Sequence, residues 1–476
     1  MNFKNKILQI FNKNTSNNYS DVPKSIIKKF NKTRPIIARK YLCNAPFRNL
    51  YFNTDGQVSV CCYNMKYMVG NINKNSITEI WNGKKIKELR KHIANNDLSL
   101  GCDACKSELL LSNFESLHIK FYDEQFTIKD YPTSLMFQID NTCNLECTMC
   151  TGDFSSNIFK NREQRTQFEN PYNKKFFDEL NTYIPHIKEC MFSGGEPFLI
   201  NSYFDIWNKI IETNPSCYIS VQTNGTILND KVKNILEKGK FFIGISLDSL
   251  NPELYKKIRV NANLETTLNN IEYFKNYSQT NNRNIRLSTC VMNQNRFEIP
   301  IITEFCSKNN LSVEYNTIRF PAKDAVWILN SYELKELIDK YSLLDLPIKT
   351  LVQKKNKIKY YDLIKKLKSW YEISIKWEKY IPKPVDESEI KLLQNGIINK
   401  LENASLTFNS EDLNINSLIL LLNNIFENMP NNDLKYKTLK MINSFSGNKI
   451  LANIYRENDE SLKELINNMV KYSKIE

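Results

Sequence analysis

From about residue 130 the chain alternates two patterns. Short, mostly apolar runs beginning near Ser134, Cys190, Cys217, Phe241, Ile285 and Leu311 predict strands. Between them, apolar residues recur at three- and four-residue spacing over 175–184, 202–213, 231–238, 264–277 and 299–308, which predicts amphipathic helices. Strand and helix in strict alternation predict a parallel α/β sheet curled into a barrel or part of one, with its chemistry at the C-terminal ends of the strands. Upstream, 49–52 and 57–61 read as strands around a turn ending in Gly56, and Ser76-Ile-Thr-Glu79 reads as a capping box opening a helix through Trp81. A further helix is expected over 84–94. Beyond about residue 330 the strands stop and the pattern is helical, punctuated by Pro347, Pro382, Pro384 and Pro430. The expected domains are a basic, partly mobile arm (1–40), a small α+β cysteine-rich module (41–128), the barrel (129–325) and an all-helical C-terminal region (326–476).

Composition narrows this reading. The chain has 476 residues, 41% of them hydrophobic, with only 12 Gly and 15 Pro, which suits large cores and excludes a fibrous or loop-rich protein. No run of about 18 apolar residues occurs, so no transmembrane segment is expected. The N-terminus lacks the apolar stretch and small-residue site of a signal peptide, so a cytoplasmic protein is expected. There, its 12 cysteines are expected to be reduced, metal-bound or buried. The net charge is +13, and residues 1–40 hold ten Lys or Arg against one Asp, hence +9. A second basic stretch, 354–379, contains Trp370 and Trp377. Attraction to an acidic peptide or an anionic surface is one reading. A solvated arm and helix face is the simpler one, and nucleic acid is not an expected partner.

The most informative residues are Cys143, Cys147 and Cys150, spaced C-x3-C-x2-C just past the first barrel strand. Three clustered thiolates without a fourth describe an iron–sulfur site with one metal corner open, which can bind a reactant. A zinc site would want a fourth ligand, and no His is near. At the end of the second strand stands Ser193-Gly194-Gly195-Glu196-Pro197. Two glycines permit close approach to the backbone. Glu196 and the freed carbonyls can accept hydrogen bonds from an ammonium group; the plainer alternative has Glu196 capping the next helix.

These two motifs, in this order within a βα repeat, resemble those of the radical S-adenosylmethionine (SAM) enzymes over roughly residues 130–320. The resemblance implies a partial (β/α)6 TIM-like barrel and a [4Fe–4S] cluster on Cys143, Cys147 and Cys150. It implies that SAM chelates the open iron, near Gly194, Gly195, Glu196 and Pro197, and is cleaved to methionine and a 5′-deoxyadenosyl radical that abstracts hydrogen from a substrate. Asn224, in Gln222-Thr-Asn-Gly225, then fits the end of strand three. Ser246 and Asp248 fit the end of strand four, facing the ribose or amino acid part of SAM. Arg259 resembles a residue that binds the SAM carboxylate, and Asn293 falls near the adenine pocket. One departure is Met149, where an aromatic residue usually precedes the third cysteine.

Cys43, Cys61, Cys62, Cys102 and Cys105, with the residues between them, resemble the SPASM/twitch module that carries an auxiliary [4Fe–4S] cluster. The resemblance implies Cys43, Cys61, Cys102 and Cys105 as ligands, with Cys62 as the alternative to Cys61. Here the module precedes the barrel instead of following it. On the cysteines alone, a tetrahedral zinc fits equally well. Cys190, Cys217, Cys290 and Cys306 read as small buried hydrophobes, and the three histidines lack site-like spacing. Enzymes of this kind take peptides, sugars or small metabolites and draw electrons from a flavodoxin- or ferredoxin-type donor. A non-catalytic metal-binding interaction protein is the reading from another class.

Overall fold

The structure, a computed structural model, describes residues 22–454 except 65, 115–116, 124–129, 166–168, 282, 284, 319–320, 322–323, 380–381, 407–413, 430 and 444–446, together with Leu462 and Ile466. The expected mobile arm therefore lies partly outside the described residues. Its described portion includes a helix, Lys24–Lys32, and a 3-10 turn, Ile36–Lys40. The chain forms two compact units, Met1–Leu50 with Val58–Pro132, and Tyr51–Gln57 with Thr133–Glu476. The helical C-terminal region thus belongs to the same unit as the barrel strands.

In and beside the first unit lie three short strands, β1 (Asn49–Phe52), β2 (Gln57–Ser59) and β3 (Gly70–Asn71). Helix Ile77–Asn82 opens with the capping box: Ser76 Oγ accepts from Glu79 N, and the Glu79 carboxylate accepts from Ser76 N. Its Ile77, Ile80 and Trp81 are buried, as are Ile86, Leu89 and Ile93 of helix Lys84–Ala94. Arg34 is fully enclosed and donates from Nε and Nη2 to the two oxygens of Asp123, each at 2.7 Å. That paired geometry is the one that makes a buried guanidinium tolerable.

The second unit is built on β4 (Ser134–Phe137), β5 (Glu189–Phe192), β6 (Tyr218–Thr223), β7 (Phe241–Ser246), β8 (Ile285–Val291) and β9 (Ser312–Thr317). Each pairs with the next in parallel, and the pairing runs linearly from β4 to β9, a partial (β/α)6 barrel. Alternate residues separate two faces. Phe241, Ile243, Ile245, Leu287 and Val313 are buried, and this odd-numbered face meets the surrounding helices: Trp207 packs edge-on to Phe241, and Tyr315 bonds Thr303 of helix Ile299–Lys308. The even-numbered face is polar: Gln222, Ser246, Arg286, Ser288 and Cys290 lie on it.

The edge of β9 is covered by the helix Leu351–Glu378. Asn356, fully buried, accepts from Val313 N at 3.0 Å and donates to Leu311 O at 2.8 Å. Its amide thus stands in for a neighbouring strand. Tyr341 and Tyr360 stack beneath it in a shared apolar core. A second core joins the later helices around Leu401, Phe426, Leu439 and Leu451. Replacing Asn356 with Leu leaves two buried backbone groups unpaired and is expected to cost about 2–4 kcal/mol. Chemical denaturation reads this directly, and an unchanged midpoint would show that Asn356 does not hold the edge.

Candidate active site

The cysteine loop follows β4 and is held from three sides. Thr148 N donates to Ile258 O and Glu146 N to Val260 O, which pins the loop to the chain around Arg259. Cys143 N donates to Ser156 Oγ, and Arg162 Nη2 donates to the carbonyl of Cys147. Asn144 Oδ1 accepts from Asn224 Nδ2 at 2.9 Å, which ties the loop to the end of β6. Asn144 carried no signal in the sequence, since its role depends on a residue 80 positions away.

The Gly-Gly-Glu-Pro segment after β5 presses on the same loop. Gly195 N donates to Asp140 O and Glu196 N to Thr142 O. A Cβ on Gly195 would lie 2.0 Å from Thr142 O, and one on Gly194, at φ +120°, 2.8 Å from Asp140 O. The close approach that these glycines permit is therefore filled by the cysteine loop's own backbone. Pro197 starts a short 3-10 turn that Glu196 caps. The Glu196 carboxylate is fully buried and accepts from Phe198 N (3.1 Å), Thr223 Oγ1 (2.7 Å) and Asn224 N (2.7 Å). Capping is thus its visible role, and a carboxylate with three donors keeps acceptor capacity for one more. Burial pushes its pKa up to about 7 against the pull of those donors. The folded protein therefore holds a proton there below pH 7 that the unfolded chain has shed, and stability falls as pH rises from the usual carboxylate range toward 7.

Arg259 follows the helix Pro252–Ile258, which the sequence reading did not separate out. Its Nη2 lies 2.7 Å from Asp248 Oδ2 and its Nη1 donates toward Cys147 Sγ at 3.8 Å. Burial alone would lower its pKa, but Asp248 and Cys147 raise it, so it carries a fixed positive charge beside the thiol. The Nε of Arg259 is buried with no partner, and Asp248 Oδ2, though in ion contact, makes no well-aligned hydrogen bond. Asp248 Oδ1 accepts from Cys290 N at 2.6 Å. Burial, then the Asp248 charge, pushes the Cys290 thiol up; the charges of Arg259, Cys147 and Cys150 act on it as well. The structure therefore gathers Cys143, Cys147, Cys150, Glu196, Asn224, Asp248, Arg259 and Cys290 about one loop. Ser246, at the end of β7, accepts from Gln222. Asn293 follows β8, its N–H donating to Asp324 O, while its neighbour Gln294 reaches Thr148 of the loop.

The first unit holds five of the thiols, Cys43, Cys61, Cys62, Cys102 and Cys105. Burial raises Cys43 to about 12 and lifts Cys62, Cys102 and Cys105, and in all four the next cause is the charge of Cys61. Asn64 fixes the approach, donating to Leu100 O and to Cys102 Sγ. Gly101, at φ +76°, is required because a Cβ there would lie 2.2 Å from Asn64 Oδ1. Cys62 faces His118, with Sγ 3.5 Å from Nε2, and burial lowers the imidazole to about 4, leaving it neutral. Among the described residues no three Cys, His, Asp or Glu converge on a single metal position. Cys143 is likewise pushed up to about 12, first by burial and then by Glu196 and Cys147, with Arg259 opposing. Ligation needs thiolates, so metal binding at either set is coupled to proton release.

The description "Radical SAM superfamily" belongs to the family model that matches residues 138–305, and "Iron-sulfur cluster-binding domain" to the one that matches residues 43–106. The chain is 31% identical over 175 residues to a probable GTP 3′,8-cyclase of Methanocaldococcus jannaschii, covering 36% of this chain and 54% of that protein. It is 30% identical over 231 residues to a probable GTP 3′,8-cyclase of Methanococcus aeolicus, covering 48% of this chain and 72% of that protein. It is 31% identical over 144 residues to a cysteine-type anaerobic sulfatase-maturating enzyme of Clostridium novyi, covering 28% and 36%. The chain spans about half the length of the curated relatives it first matches.

Proposed function

We propose, from the premise that the chain belongs to the radical SAM superfamily of enzymes, that it uses SAM to generate a radical that abstracts hydrogen from a peptide or small-metabolite substrate. Its cofactors are [4Fe–4S] clusters and SAM. When bound at the barrel thiols, the cluster supplies the electron that cleaves SAM to methionine and the 5′-deoxyadenosyl radical. Cys143, Cys147 and Cys150 hold that cluster, and Gly194, Gly195, Glu196 and Pro197 shape the place beside it. Asn224 and Asp248 position the loop and Arg259, and Ser246 and Asn293 line the way to the rest of SAM. The observation that carries the reading is the buried, unpartnered Nε of Arg259 beside Cys147. A charged donor left open next to the cysteine loop fits the carboxylate of an amino acid.

Cys43, Cys61, Cys102 and Cys105 hold a second, fully ligated cluster suited to electron transfer. The names of the relatives span a nucleotide cyclase and a sulfatase-maturating enzyme, which keeps both small-molecule and polypeptide substrates in view. A flavodoxin- or ferredoxin-type protein supplies electrons. The protein works in the cytoplasm, consistent with twelve free cysteines and with no described helix long and apolar enough to cross a membrane.

Anaerobic reconstitution tests the reading. It should yield roughly eight irons and eight sulfides per chain, four for each of two cubanes, and 5′-deoxyadenosine on addition of SAM and a strong reductant. Bound zinc with no SAM cleavage would overturn it. The two neighbouring cysteines separate in the same assay. Cys61→Ser should drop iron content to about four, while Cys62→Ser should leave it near eight; the reverse result would move the ligand to Cys62.

A further inference from the structure

Deeper in the barrel, the polar face carries a cation for which the catalytic reading has no use. Arg286 lies on β8, in register with Gly244 of β7, which is in turn in register with Gln222 of β6. With no side chain at Gly244, Arg286 reaches across it. A Cβ there would stand 2.5 Å from Gln222 Oε1 and 2.9 Å from Arg286 Nη2. Gln222 Oε1 accepts from Arg286 Nη2 at 3.1 Å and from Ser288 Oγ at 3.2 Å, and its Nε2 donates to Ser246 Oγ at 3.1 Å. These three bonds settle which way the amide points. The Phe242 ring lies 5.6 Å from the guanidinium carbon. The cation is therefore held in one place before anything binds it.

What it lacks is an anion. Among the described residues no carboxylate lies within ion-pair distance of Arg286, and its Nε is buried without a partner. Glu314, whose charge acts on it, is already bonded to Lys359 Nζ at 2.7 Å, so the neighbourhood keeps one net positive charge. The guanidinium is half-buried, and its enclosed, unpaired Nε leaves an edge that a ligand can complete. The Ser246 hydroxyl, which accepts from Gln222, keeps its own proton to donate.

We propose that Arg286, oriented by Gln222 and flanked by Ser246 and Ser288, receives a carboxylate of the substrate. This rests on the radical SAM reading and specifies it: the substrate is an organic acid, free or at the end of a peptide. One planar fork and one net charge match a carboxylate, whereas a phosphate dianion would call for more cations. Arg286 and Cys290 lie four residues apart on the same face of β8, their backbone positions roughly 13 Å apart along the strand, so the anchored carboxylate is held away from Cys290. The reacting carbon is thus several bonds from the carboxylate.

The test uses the reconstituted holoenzyme with SAM and reads thermal stabilisation by butyrate, butyramide, inorganic phosphate, and N-acetyl-trialanine as its free acid and its amide. Butyrate should raise Tm and butyramide should not. If trialanine acid also raises Tm while its amide does not, the acid is a peptide terminus; if only butyrate does, it is a small free acid. Arg286→Gln should weaken the binding acid by roughly 10- to 100-fold, and Gly244→Ala should weaken it by displacing the Gln222–Arg286 pair. Equal shifts from acid and amide, or an undiminished response in Arg286→Gln and Gly244→Ala, would overturn the proposal. A phosphate response larger than that of either acid would overturn the carboxylate assignment. Arg286→Lys guards against misfolding of the Gln variant, and should bind more weakly than wild type. Cleavage of SAM by the wild-type protein without these acids reports the underlying reading separately.

Discussion

Replacing Cys147 with Ala abolishes 5′-deoxyadenosine formation and brings iron content from roughly eight to about four per chain. Cys147 is the most enclosed of the three loop thiols and the one that Arg259 approaches, at 3.8 Å. Burial pushes its thiol up, and the Arg259 charge is the largest influence in the opposite direction. Removing the sulfur removes one of the three proposed ligands, while Arg259 keeps its ion pair with Asp248, so the loss is of the cluster and not of the surrounding charge pair. The auxiliary thiols, in the other unit, keep their own complement, which is why half the iron is expected to persist. Cys306→Ala is the matched control: it removes another buried thiol, from helix Ile299–Lys308, and should leave cleavage intact. Sustained SAM cleavage by the Cys147 variant would show that the loop is not the cluster site.

Arg259→Met is expected to cost about 3–5 kcal/mol of stability, since it leaves the fully buried Asp248 carboxylate without its cation. The effect should exceed that of breaking any exposed pair, such as Lys66 with Asp103, where both side chains are more than half exposed. Adding Asp248→Asn should recover a large part of the loss, because the amide removes the uncompensated charge while its oxygen can still accept from Cys290 N. Neither variant should bind SAM as wild type does, because the unpartnered Nε of Arg259 is gone from both. Denaturation midpoints and SAM titrations on the same samples separate the two effects. A single variant as stable as wild type would mean that water, not Arg259, satisfies Asp248.

The barrel was legible because its pattern is local. Strands expected near Ser134, Phe241 and Ile285 begin at those residues, and those expected near Cys190, Cys217 and Leu311 begin one residue away. A barrel strand with helices on one face and a polar interior on the other announces itself by a short run in which alternate residues are apolar and buried, and the intervening helices by their three- and four-residue spacing. Cys143, Cys147 and Cys150 could be grouped from the sequence because their spacing is a property of one loop. What escaped depends on distant partners. Asn144 matters through Asn224, Asn356 through the backbone of β9, and His118 through Cys62. Each is an unremarkable polar residue in its own segment. Arg286 was hidden for a related reason: a charge within a strand reads as an outward-facing position until Gly244 and Gln222 are seen to fold it over the sheet.

The amide of Asn356 also bears on how the chain is made. Synthesis delivers β9 before the helix Leu351–Glu378 that carries Asn356. Through that interval the last strand of the sheet presents bare peptide groups, the kind of edge on which a neighbouring nascent chain can add a strand. The helix is therefore a late-arriving guard as well as a structural cover. Ribosome pausing or proteolysis ahead of it would leave a nearly complete barrel with an adhesive side.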